Sequence, residues 1–130
     1  MSRSKSGTFH TIILILFVIY LVFIGFLYYA NISPTANIPR SLWGFATDKL
    51  VHFCMFLPYP FLAHGSFRGK RKWRNLVFVI LSGIMLAYAL ELTQERLASY
   101  RSTDPWDLVY NMAAITTSST VLAIIDLFRK

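Results

Sequence analysis

Polar side chains that could perform chemistry interrupt an apolar stretch late in the chain. Glu91 and Gln94 follow a run of apolar residues, and Asp107 and Asn111 lie in the first turns of the next apolar segment. Residues three or four apart lie on the same face of a helix, so each pair can point in one direction. Ionisable groups are costly at membrane depth, and a functional role is therefore the default hypothesis for them.

A second polar group precedes these residues in the chain. Asp48 and His52 are four residues apart and would share a helix face, with Lys49 beside them. Arg101 lies in the short loop that follows Glu91. If the segments converge, Glu91 and His52 are the candidates for an acid and a base. We assign no catalytic role beyond these two candidates.

The composition identifies the kind of scaffold that must position these groups. The chain has 130 residues, of which 55% are hydrophobic, and its formal net charge is +7. Such a chain predicts one integral membrane domain over residues 1–130. The basic residues lie beside apolar segments, where they orient a membrane protein and contact anionic lipid, so we expect no nucleic-acid partner. The single cysteine, Cys54, excludes an intramolecular disulfide.

Four apolar segments predict the fold, which is an all-α, polytopic membrane protein with a four-transmembrane-helix bundle and short loops. The expected spans are about 9–29, 48–66, 75–97 and 105–128. Pro58 and Pro60 should kink or break the second span. Gly83 and Ala87 give the third span a small-residue face for close helix contact.

Local signals mark the ends of these helices. Thr47 is expected to cap the second helix, and Asp104 the fourth. Residues 30–47 have the composition of a loop, with an interfacial turn around Leu42 and Trp43. Tyr28 and Tyr29 mark the end of the first helix as part of an aromatic belt, and we expect that helix to have much lipid contact.

The distribution of lysine and arginine predicts the orientation. The head, the loop of residues 67–74 and the tail are basic, and an even number of spans places all of them on the cytoplasmic side. The protein is thus expected in the cell (inner, cytoplasmic) membrane as a multi-pass protein with both termini cytoplasmic. At about 1.5 Å per residue, Glu91 lies about 24 Å along its helix from Asn75, near the outer leaflet.

The ordered polar positions resemble a family pattern. Asp48-Lys49-x-x-His52-Phe53, then Glu91-x-x-Gln94, then Arg101-x-x-Asp104-x-x-Asp107-x-x-x-Asn111, is similar to the signature of the VanZ-like integral membrane proteins. The resemblance implies a protein of the bacterial cell envelope, and the namesake of the family is associated with antibiotic resistance to teicoplanin, a glycopeptide. It also implies a set of ligand-binding positions, namely Asp48, Lys49, His52, Glu91, Gln94, Arg101, Asp107 and Asn111.

Each of these residues also has a structural interpretation. Glu91 could pair with Arg101 or His52 only to clamp helix ends together. Gln94 and Asn111 could be ordinary interhelical hydrogen-bond groups. His52 could be a satisfied buried histidine, and Lys49 could extend to the interface. We assign no role to His10, His64 or Asp126, among other peripheral groups.

Three function classes follow for the polar site. The first is binding of a lipid or a lipid-linked cell-wall component in a polar pocket near the outer leaflet, and the second is a membrane-embedded enzyme that uses Glu91 and His52 on such a substrate. The third is a small transporter. We predict no cofactor. A hard-cation site formed by Asp48, His52, Glu91 and Asp107 is compatible with the geometry, but we predict no metal because local spacing alone positions too few ligands. The oligomeric state does not follow from the sequence.

Overall fold

A computed structural model describes residues 2–30, 39–67, 71–97 and 104–129, with side chains from residue 6 onward. The described chain is mostly helical. Its elements, in chain order, are α1 (Ser2–Tyr29), β1 (Ser41–Leu42), β2 (Phe45–Ala46), α2 (Thr47–Phe56), α3 (Tyr59–Ser66), α4 (Lys72–Leu97) and α5 (Pro105–Phe128).

Three helices are long and apolar enough to cross a membrane. These are α1 over Ser6–Tyr29, α4 over Lys72–Leu97 and α5 over Pro105–Phe128. Much of their apolar surface is exposed, including Phe23 and Met85. Such exposure is expected of helices that face lipid, since a soluble monomer rarely leaves large apolar patches uncovered.

The predicted second span is two short helices. The break falls at Leu57 and Pro58, between α2 and α3, as expected from the two prolines. Neither α2, with 10 residues, nor α3, with 8, is long enough to cross a membrane by itself. Of the four predicted spans, the structure therefore supports the three that coincide with long apolar helices.

Neighbouring helices bind the backbone at this break. The Tyr20 hydroxyl of α1 donates a hydrogen bond to the carbonyl of Met55, and the Ser118 hydroxyl of α5 donates to that of Leu57 at 2.6 Å. Carbonyl groups near a proline break need such partners where water is absent. The break is thus held between α1 and α5.

All five helices contribute buried residues to the core, and a close contact within it joins α3, α4 and α5. Tyr59, at the start of α3, packs against Gly83 of α4, and its hydroxyl donates to Ser82 Oγ at 2.9 Å. A β-carbon on Gly83 would lie 2.8 Å from the Tyr59 ring and 3.3 Å from Ile115. The predicted close contact of Gly83 is confirmed, and Ala87 on the same face is fully buried.

The segment before α2 has the predicted turn at Trp43, but the turn belongs to a hairpin that was not predicted, and the predicted cap was wrong. Residues 41–46 form a small antiparallel hairpin, with Ser41 paired to Ala46. Trp43 and Gly44 turn it with φ of 51° and 82°, the positive values that a tight hairpin turn requires. Thr47 does not cap α2, since its hydroxyl bonds the carbonyl of Pro39 and the N-cap position is Ala46.

The hydroxyl groups of α5 divide between its two faces. Thr116, Thr117 and Thr120 are exposed and return hydrogen bonds to carbonyls one turn earlier. Ser118 and Ser119 are buried. The expected interior position therefore applies to one face of this helix, which meets α2, α3 and α4.

Candidate functional site

Four helix ends meet at one end of the bundle. The last turns of α1 and α4 and the first turns of α2 and α5 place six side chains in one connected group, which we name the Tyr28 cluster. Its members are Tyr28, Lys49, His52, Glu91, Asp107 and Asn111. The chain leaves α1 and enters α2 at this end, and it leaves α4 and enters α5 at the same end, so residues far apart in sequence come together.

The Tyr28 hydroxyl is the centre of this cluster. It donates to Oε1 of Glu91 at 3.0 Å, accepts from Nδ2 of Asn111 at 2.6 Å and lies 3.2 Å from Nδ1 of His52. The ring also meets the His52 ring edge to face, with centroids 5.4 Å apart. Tyr28 is 1% exposed and Asn111 is 0% exposed, so these contacts form away from water.

His52 lies between two acids. Its Nδ1 is 3.7 Å from Oε1 of Glu91, and its Nε2 is 3.4 Å from Oδ2 of Asp107. The His52 side chain is 6% exposed and that of Glu91 is 8% exposed. A buried imidazole that faces a carboxylate at each nitrogen is suited to act as an acid or a base toward a substrate.

Lys49 joins the buried cluster to an exposed rim. Its ammonium group contacts Asp107 inside the cluster, Asp104 at 2.5 Å and Asp48 at 3.2 Å. The Asp48 and Asp104 side chains are more than 40% exposed, whereas that of Lys49 is 11% exposed. Asp104 also caps α5 as predicted, since its side chain accepts from the Trp106 N–H. These hydrogen bonds, first that from Lys49, lower the pKa of Asp104 below its ordinary value.

Gln94 supports the cluster from outside. Its side-chain amide donates to the backbone carbonyl of Tyr28 at 2.9 Å. The last carbonyls of a helix have no partner within the helix, so this bond fixes the end of α1 and with it the Tyr28 ring. The contact favours the interhelical hydrogen-bond interpretation of Gln94.

The sequence-predicted residues thus fall into three groups. Lys49, His52, Glu91, Asp107 and Asn111 lie in the cluster. Asp48 lies at its rim and contacts Lys49 rather than His52, while Gln94 contacts the backbone of Tyr28. Arg101 lies outside the described residues.

Sequence reasoning missed the central residue. Tyr28 was expected in an aromatic belt, but it is buried, as are Phe17 and Ile24 of the same helix. The available signal was the helical period, since residues 17, 24 and 28 share one face and Tyr29 points about 100° away. Asp104 was predicted as a cap and as part of the family pattern but not as a ligand-binding residue, and its bond to Lys49 could not be read from local spacing.

Two features of the cluster are relevant to ligand binding. One ligand atom from each of His52, Glu91 and Asp107 lies within 4.8 Å of the other two, a grouping that could hold a metal ion. Oδ1 of Asn111 is buried and has no hydrogen-bond partner among the residues that the structure describes. Buried polar atoms normally have partners, so this oxygen needs an explanation.

A separate polar group lies at the opposite end of the bundle. His64 is 3.3 Å from Asp126, Asn75 bonds both the ring and the carbonyl of His64, and His10 bonds the carbonyl of Ser66. These contacts join α1, α3, α4 and α5 at the end where α1 begins. They account for residues to which the sequence assigned no role.

No protein-family model, curated protein or solved structure matches this chain.

Proposed function

We propose that the chain is a multi-pass protein of the bacterial cytoplasmic membrane, with both termini inside. The three long apolar helices support this proposal. The fourth pass would be α2 and α3 together, which cover residues 47–66. Twenty residues at about 1.5 Å each extend about 30 Å, the thickness of the hydrocarbon core.

Cysteine labelling tests this topology. Cys54 is first replaced by alanine, and single cysteines are then placed at the exposed positions Ser41 and Arg71. A reagent that cannot cross membranes should label Ser41→Cys in intact cells, and Arg71→Cys only after the cells are opened. Labelling of Arg71→Cys from outside would overturn the orientation.

The proposed activity is binding of a lipid or a lipid-linked cell-wall component at the Tyr28 cluster. The observation that carries it is the convergence of costly polar groups from four helices on one buried hydroxyl. In the proposed topology this end faces the outer leaflet. A headgroup could meet Lys49, Asp48 and Asp104 at the rim while its acyl chains stay in the bilayer.

The resemblance to VanZ-like proteins suggests where such binding would matter. Under this proposal the protein acts in the envelope and contributes to resistance against glycopeptides of the teicoplanin type. The pattern that supports the resemblance includes five residues of the cluster, Lys49, His52, Glu91, Asp107 and Asn111.

The alternative function is a membrane-embedded enzyme. The position of His52 between Glu91 and Asp107 favours this reading, because each ring nitrogen faces one carboxylate. Such an imidazole could take a proton from a substrate hydroxyl and return it to a leaving group. Turnover of the bound lipid by the purified protein, abolished in Glu91→Gln, would favour the enzyme over the binding protein.

The substitution Glu91→Gln separates a binding site from a structural clamp. Glutamine keeps the size of the side chain and an oxygen that accepts from Tyr28, but it removes the charge. The matched control is Glu95→Gln, one turn along α4, where the side chain is exposed. The measurements are thermal unfolding, the lipid retained during purification by native mass spectrometry, and teicoplanin susceptibility.

A binding site and a structural clamp predict different results for Glu91→Gln. A binding site predicts that Glu91→Gln unfolds near the parent temperature but loses the retained lipid and the resistance phenotype. A clamp predicts that stability and phenotype fall together. Parent protein that retains no specific lipid and alters no susceptibility would overturn the proposed function.

A further inference from the structure

We infer that the Tyr28 cluster binds a divalent cation through His52, Glu91 and Asp107. This inference rests on the proposed function in one respect, since it names what allows the same site to accept a phosphate-bearing headgroup. The cation would be held between α2, α4 and α5. Local spacing gave no reason to expect it, because each of the three helices supplies one ligand.

The three side chains place their ligand atoms close together. One ligand atom from each of the three side chains lies within 4.8 Å of the other two. A cation at the centre of such a group would be about 2–2.3 Å from each ligand after small side-chain movements. Burial limits competition from water for the same ligands.

The amide of Asn111 is an independent indication of a ligand. Its Nδ2 donates to Tyr28, whose own proton goes to Glu91, so the direction of these hydrogen bonds assigns Oδ1 as the free end of the amide. That oxygen is fully buried and has no partner among the described residues. Asn111 is one helical turn beyond Asp107 on the same face of α5. An amide oxygen here is suited to become a fourth ligand, directly or through one water.

Neighbouring groups orient the ligands as in established metal sites. Lys49 binds Oδ1 of Asp107, which leaves Oδ2 facing His52. Tyr28 binds Oε1 of Glu91. Hydrogen bonds of this kind fix metal-ligating carboxylates and tune their basicity.

The charge balance also favours a cation. Asp48, Glu91, Asp104 and Asp107 supply carboxylates, whereas Lys49 is the one permanent cation in or beside the cluster within the described part of the chain. A phosphate group would be repelled by this excess of acid unless a divalent ion lay between them. One imidazole with carboxylate and amide oxygens suits Mn²⁺ or Zn²⁺.

The test uses the full chain in detergent, stripped with a chelator and then titrated with Mn²⁺ or Zn²⁺ alone. We expect about one ion per chain, with affinity falling at least about tenfold in His52→Ala and Asp107→Asn. The matched controls are His64→Ala and Asp126→Asn, which change the same residue types at the opposite end of the bundle. Affinity equal in all four variants, or absence of binding by the parent, would overturn the inference.

A spectroscopic measurement on the parent protein tests the same site without substitutions, so it does not depend on whether the variants fold. Electron spin-echo measurements of bound Mn²⁺ should detect coupling to one imidazole nitrogen. Bound Mn²⁺ without that coupling would exclude His52 as a ligand and overturn the site.

The two proposals fail in different ways. If lipid is retained equally with and without chelator while no Mn²⁺ or Zn²⁺ binds, the cation is excluded and the lipid site stands. If one ion binds through His52 but no lipid is retained, the cation site stands and the proposed function falls.

Discussion

The hydroxyl group of Tyr28 lies 3.0 Å from Oε1 of Glu91 and joins the last turn of α1 to the last turns of α4. The two residues are 63 positions apart in the chain. Every other member of the Tyr28 cluster is reached from this pair, through Asn111 on one side and through His52 and Asp107 to Lys49 on the other.

Replacing Tyr28 with phenylalanine should therefore destabilise the bundle. The substitution keeps the ring but removes the hydroxyl from Glu91 and Asn111, both of which are buried. Removing a hydrogen-bond partner of a buried polar group costs about 1–3 kcal/mol. Thermal unfolding in detergent measures the loss, and Tyr88→Phe on the exposed face of α4 is the control. Equal melting temperatures for both variants would contradict the central role of Tyr28.

Adjacent serines of α5 should respond differently to removal of their hydroxyl groups. Ser118→Ala loses the bond to the carbonyl of Leu57 at the α2–α3 break and should cost about 0.5–1.5 kcal/mol. Ser119 is also buried, but its hydroxyl has no partner among the described residues, so Ser119→Ala should be neutral or slightly stabilising. Chemical denaturation of the two variants gives the comparison. No loss of stability in Ser118→Ala would show that the break does not depend on this bond from α5.

Part of this structure follows from sequence and part does not. Pro58 predicts the break because a proline removes a backbone donor wherever it stands. His52, Glu91 and Asn111 could be expected together because helix direction alternates between successive spans. Tyr28 could not be separated from Tyr29 by an aromatic-belt argument, since both lie at the same depth and differ only in the face on which they point.

Contacts between distant charges were the least predictable. A lysine at the start of a helix is expected to extend to the interface. Lys49 instead contacts three acids, and Asp104 and Asp107 come from a helix more than fifty residues later. The sequence shows which residues are acidic and that Lys49 is basic. Which acids contact Lys49 depends on how α2 packs against α5.

The contact between Lys49 and Asp104 should make the stability of the folded protein depend on pH in the acidic range. The pKa of Asp104 is lowered in the folded protein from its ordinary value of 3.8, so its contribution is complete above that value. It is lost as the pH falls through the lower folded-state value. Asp104→Asn keeps a good N-cap but removes the charge, so it should lower the melting temperature at pH 7 and lose less stability than the parent below about pH 4.

Melting curves of both proteins from pH 7 to pH 3 measure this difference. Asp126→Asn is the control, because that acid lies at the opposite end of the bundle. If the curves for the parent and Asp104→Asn stay parallel throughout, the ion pair contributes nothing to the acid sensitivity.

Glycine-to-alanine substitutions on two helices should have opposite effects. Gly83→Ala places a β-carbon 2.8 Å from the Tyr59 ring and 3.3 Å from Ile115, and forcing these groups apart should cost about 1–3 kcal/mol. Gly25→Ala on α1 meets no atom of the described structure within 4 Å and should be neutral or stabilise by up to about 1 kcal/mol, because alanine favours the helix. Thermal unfolding of both variants tests the packing of α3 on α4. A stable Gly83→Ala variant would mean that Tyr59 does not lie against α4, and the path of the chain after the Pro58 break would have to differ.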